Sequence, residues 1–136
     1  MKLSIILIRT AGAICLLFAI FHAFFHKLFN WPESLSCLDV NNRGIILTYH
    51  YISILILGFM AITAIFQAKA ILKSQLKYSI LSMFALFFLI RIYTEFSLFG
   101  ISQTTPVILI MCLIPVICFA LPIFINTMPY ESKKMV

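Results

Sequence analysis

Acidic residues are almost missing from this chain. Four Asp and Glu accompany ten Lys and Arg among 136 residues, so charged side chains make up only 10% of the sequence. A water-soluble domain carries about 25%. The shortage excludes a soluble module of useful size, and the longest polar stretch is the loop from Asn30 to Arg43. A disulfide framework is also lacking. Cys15, Cys112 and Cys118 fall inside hydrophobic runs, where Cys acts as a small apolar residue, and Cys37 has no partner in its loop. There is no Gly-rich phosphate loop, no nucleophile elbow and no H-E-x-x-H. No spacing of Ser, His and Asp suggests a triad, which argues against an enzyme. The net charge of +6 does not point to nucleic acid. Its Lys and Arg sit in short loops and tails beside apolar runs rather than on a folded, water-facing surface.

What the chain has instead is hydrophobic length. Apolar residues make up 63% of it, and the mean hydropathy is +1.12. Four runs, at about 4–29, 45–66, 78–99 and 106–126, each reach the ~20 residues that cross ~30 Å of hydrocarbon. Continuous runs without alternation exclude a barrel. The fold expected is an all-α integral membrane protein, a bundle of four transmembrane helices forming one domain. The first run is read as a retained helix. Its apolar part is too long for a signal peptide, and no small-residue cleavage site follows it.

Orientation follows from the basic residues. Lys2, Arg9, Lys69, Lys73, Lys77, Lys133 and Lys134 share one side of a four-span topology. Lys27 and Arg43 lie on the other, offset by Glu33 and Asp39. The positive-inside rule then places both termini in the cytoplasm, in a cell (inner) membrane. The spacing of Lys69, Lys73 and Lys77 also suits anionic headgroups, although topology alone accounts for it. Trp31, Tyr49 and Tyr51 fit one interface, and Tyr78 and Tyr130 the other. Pro115 and Pro122 share one face of the fourth helix and are expected to bend it; Pro106 suits its first turn and Pro129 its end.

The third run carries Arg91 and, one turn later, Glu95. An ion in such a stretch costs at least a few kcal/mol unless it is paired or reaches water. Counting along the helices puts His22, His50 and Arg91 roughly 9–10 Å below the outer ends of their spans, with His26 and Glu95 one turn closer to water. His22 and His26 lie four apart, on a stripe with Gly12, Cys15, Ala19 and Ala23 that suits close helix packing. Three helices thus offer a polar pocket in one leaflet. His22, His26, His50 and Glu95 are candidate ligands for a metal ion, and two histidines on opposing helices suit haem. Arg91, Glu95 and His50 are candidates for binding a quinone or a lipid headgroup. The same residues also fit a purely structural role, with Arg91 bonded to Glu95 and its head reaching outward. The Arg-then-Glu order is the weaker helical orientation, which favours partners on other helices.

HAFFHKLFNWPESL (His22 to Leu35), NRGI (Asn42 to Ile45) and RIYTE (Arg91 to Glu95) together resemble small bacterial four-helix inner-membrane proteins of the DoxX-like kind. The resemblance covers the first three helices and implies the same architecture. It also implies an association with quinone or thiol redox chemistry, with no functional residue carried over. Three functions stand side by side: a structural or accessory membrane subunit, a metal- or haem-binding redox protein, and a quinone- or lipid-binding protein or small carrier. The bilayer is the partner all three require. A membrane-protein partner or further copies of the chain suit the first.

Overall fold

The computed structural model describes residues 1–125, and all of its regular elements are helical. Six α-helices follow in order: α1 (Lys2–Ala23), α2 (Phe25–Leu28), α3 (Trp31–Ser34), α4 (Val40–Lys73), α5 (Lys77–Thr94) and α6 (Thr105–Ile125), with a π-helical turn at Glu95–Phe99 prolonging α5. Four are long and apolar enough to cross a membrane: α1, α4, α5 with its π turn, and α6. They present large side chains such as Leu55, Phe66, Leu98 and Phe124 to the surroundings. In water that surface would be a liability, whereas in a bilayer it is the solvent-facing side. The expected helix end at residue 126, together with Pro129, Tyr130, Lys133 and Lys134, lies outside the described residues.

The chain divides into two compact units, Ile8–Ala68 and Met1–Leu7 with the chain from Lys69 on. In the first, α1 lies against α4 through small residues. Ala11, Cys15 and Ala19 of α1 and Ala61, Ala64 and Ala68 of α4 are all buried. Gly12 sets the approach: a Cβ there would sit 2.8 Å from Ala64 Cβ and 3.0 Å from Ile65 Cγ1. Between membrane helices there is no hydrophobic force to exploit, so contact rests on backbones coming close. In the second unit α5 and α6 pack together, Phe84 meeting Phe119 edge to face at 5.2 Å. The helix α6 runs unbroken through Pro115 and Pro122, which are buried with Cys112, Cys118 and Phe119 on one face.

Two boundaries differ from the sequence expectation. The first span was expected to continue to residue 29, but α1 stops at Ala23 and a separate turn of helix follows Phe24. The Phe24 N–H bonds to the Phe21 carbonyl three residues back, a tighter turn than the α-helix allows. Phe21, His22, Phe24, Phe25 and His26 crowd this point, and ring side chains lose rotamer freedom in a helix. The second span was expected at 45–66, but α4 has 34 residues, about 50 Å, and overruns the hydrocarbon. Its early start is explained by Asp39. The Asp39 carboxylate accepts the N–H groups of Asn41 (2.8 Å) and Asn42 (3.0 Å) and the Asn42 side-chain amide, satisfying donors that a helix start leaves open.

Two outcomes follow. Gly12→Ala gains helix propensity of about 1 kcal/mol but forces overpacking that costs about 1–3 kcal/mol. Thermal unfolding in mild detergent should therefore shift downward, with partial recovery when Ala64→Gly is added. An unchanged or higher midpoint would mean that α1 and α4 are not held this closely. At Asp39, the Asn42 bonds hold the carboxyl below its ordinary value of 3.8. A group depressed on folding contributes stability above its unfolded pKa and loses it as pH falls through the folded one. Hydrogen exchange at the amides of Asn41 and Asn42 should therefore lose protection only below pH 3.8. Asp39→Asn should keep the protection and abolish its pH dependence.

Candidate functional site

The five ionisable residues singled out by the sequence fall into two groups, one in each unit. His22, His26 and His50 belong to the first. His22 is half-buried near the end of α1, and its Nδ1–H donates to the Phe18 carbonyl at 2.8 Å. His50, on α4, is buried to 9% exposure. The His22 ring stacks on Phe25 with centroids 4.3 Å apart and planes 22° off parallel. Phe25 in turn lies near-parallel to His50 at 5.7 Å, and the two imidazoles are 6.5 Å apart. Trp31, from α3, meets the other side of this group edge-on, 4.7 Å from His50.

His26 takes a different place. The interruption at Phe24 places it in α2, on a separate turn from the helix that carries His22. Its ring is exposed and lies 6.5 Å from Trp31. The three histidines are thus held by aromatic rings. Among the described residues, no group of three or more His, Cys, Asp or Glu side chains is arranged to hold a metal ion.

Arg91 and Glu95 belong to the second unit and pair with each other. Arg91 Nη1 lies 2.8 Å from Glu95 Oε2. Glu95 is only 2% exposed, whereas the Arg91 side chain is 37% exposed and its guanidinium sits 5.4 Å above the Phe99 ring. The other carboxylate oxygen faces the start of α6, where the Thr105 hydroxyl lies 3.3 Å from Oε1 and 3.4 Å from the Gly100 carbonyl. That hydroxyl accepts the Ser102 N–H at 2.9 Å, which leaves its own proton for one of those two acceptors. A loop therefore delivers Thr105 to a carboxylate that the π turn points inward.

The sequence expectation that Arg91 would seek partners on other helices is corrected here. The preference between the two helical orders is worth only a few tenths of a kcal/mol. Stranding a buried carboxylate costs several times more. Burial therefore decides the pairing. Three residues of these groups were missed from the sequence. Phe25 reads as one more lipid-facing Phe, and Ser102 and Thr105 as loop polarity. The only advance signal was two hydroxyl residues three apart just before Pro106 and an apolar run.

The chain has a single tryptophan, so its fluorescence reports on the ring group alone. Aromatic pairs contribute about 0.5–1.5 kcal/mol each beyond their buried area. His50→Ala should lower stability by about that amount and shift Trp31 emission to the red, while His50→Phe should preserve both. If His50→Phe were as damaging as His50→Ala, the imidazole nitrogens, and not the ring stack, would be what the site needs. No protein-family model, curated protein or solved structure matches the chain.

Proposed function

We infer that this chain is a structural or accessory membrane protein whose intramembrane charge serves packing. The observation that carries the reading is the Glu95 carboxylate. One oxygen faces Arg91 at 2.8 Å, the other faces Thr105 at 3.3 Å, and almost none of the group is accessible. A carboxylate waiting for a metal or substrate would keep an open position, as catalytic metal sites do. His22 and His50 support the same reading, since their rings pack against Phe25 and Trp31 respectively. The basic residues around Lys69 to Lys77 favour a cytoplasmic placement of that loop, and with it N-in and C-in topology in a cell membrane. The resemblance to DoxX-like proteins fits this architecture, and no residue carries the redox chemistry it implies over to this chain.

A double-mutant cycle tests the inference. Arg91→Leu leaves Glu95 buried without its counter-charge, and Glu95→Leu leaves the cation. Each should cost about 3 kcal/mol. The double substitution removes both charges and should be milder than either single change, as read from unfolding in detergent or bicelles. A double variant as unstable as the worse single would overturn the packing role. So would near-stoichiometric metal in protein purified without a histidine tag, lost on His50→Ala.

A further inference from the structure

A second arginine set within a long apolar helix takes no part in this pairing. Arg9 lies on α1 about 10 Å along the axis from Lys2, in a stretch from Leu3 to Phe21 with no other charged residue. The side chain is exposed, and its Nε–H donates to the Ile65 carbonyl of α4 at 3.2 Å. A carbonyl has two lone pairs, so Ile65 can accept this bond in addition to its helical one. The close passage of Gly12 against Ala64 and Ile65 is what brings that carbonyl within reach. With Nε committed, the guanidinium plane is oriented and both Nη groups remain. Among the described residues, the one side-chain ion pair is Arg91 with Glu95, so no carboxylate neutralises Arg9.

The surroundings specify what does. Ala13, Leu16 and Ile20 continue the Arg9 face of α1 and are exposed. On α4, Ile62 and Phe66, on either side of Ile65, are exposed as well. An oriented cation at one end of an apolar, outward-facing strip matches an amphiphile with an anionic head and a hydrocarbon tail. We propose that Arg9 holds the phosphodiester of an anionic phospholipid, its two Nη groups donating to the non-bridging oxygens while the acyl chains lie along Leu16 and Ile20. The planar fork suits such bidentate contact better than an ammonium does. The lipid charge also supplies the counter-ion that a guanidinium in this setting requires.

Native mass spectrometry of the full chain, released from mild detergent with equal amounts of phosphatidylglycerol and phosphatidylcholine, tests this. Unaltered protein should retain phosphatidylglycerol preferentially. Arg9→Gln should weaken that retention about fivefold, the effect of one basic residue at an anionic surface. Arg9→Lys should fall between the two, and Lys73→Gln should leave the tightest lipid in place. Circular dichroism checks that each variant keeps its helices. If Arg9→Gln did not fold, the Arg9→Lys and Lys73→Gln comparison would still decide. Equal loss in Arg9→Gln and Lys73→Gln, or in Arg9→Lys and Lys73→Gln, would reduce the effect to diffuse charge and overturn the proposal. Retention unchanged in Arg9→Gln would overturn it too. Complete displacement by excess inorganic phosphate would identify a soluble phosphate site and not a lipid one.

Discussion

Inside hydrocarbon a polar group has no water to fall back on, and that single constraint orders most of what is seen here. Each unsatisfied group costs several kcal/mol in such a medium. The chain therefore leaves Glu95 to nothing but protein: Arg91 on one oxygen and the Thr105 hydroxyl on the other. The π turn at Glu95–Phe99 and the loop up to Thr105 acquire a purpose in that light. Together they turn the carboxylate inward and bring the start of α6 to it. A π turn widens the helix and sacrifices regular bonding, and such turns gather where a side chain must be aimed.

The first unit meets the same constraint with rings and small residues. An imidazole has one donor to place, and His22 places it on the Phe18 carbonyl within its own helix. Its ring face stacks on Phe25, which lies near-parallel to His50, and Trp31 meets His50 edge-on. Close helix approach is what permits this. Gly12 and Ala64 let α1 and α4 come together without side chains between them, and a lipid-solvated helix pair has few other sources of attraction.

How far this could be read from the sequence varied with the range of the cause. Span number and helical class were legible, because both depend on runs of apolar residues that need no partner to be recognised. The small stripe through Gly12, Cys15 and Ala19 was legible for the same reason, since small residues in a membrane helix point to close packing. The break at Phe24 was not. It arises from crowded rings around one turn, and the period of the sequence runs straight through it. Thr105 was not legible either, because its role exists only once a loop of particular length has folded back toward Glu95. The Arg91–Glu95 pair was visible as a candidate, yet an ordering rule worth tenths of a kcal/mol pointed away from it.

The ionisable residues then sort by what surrounds them. Glu95 is buried against Arg91 and Thr105, and His50 is buried among rings. Arg9 differs in kind: it is exposed, oriented by a bond to the Ile65 carbonyl, and followed on its face of α1 by exposed Ala13, Leu16 and Ile20. A charge so placed is stable only if the solvent itself supplies the counter-ion, and the solvent of a membrane helix includes phosphate headgroups. Four carboxylates cannot neutralise ten cations within the chain, and in a bilayer they do not need to. One carboxylate, Glu95, is buried beside Arg91, and under the lipid-binding proposal Arg9 takes its counter-charge from the membrane.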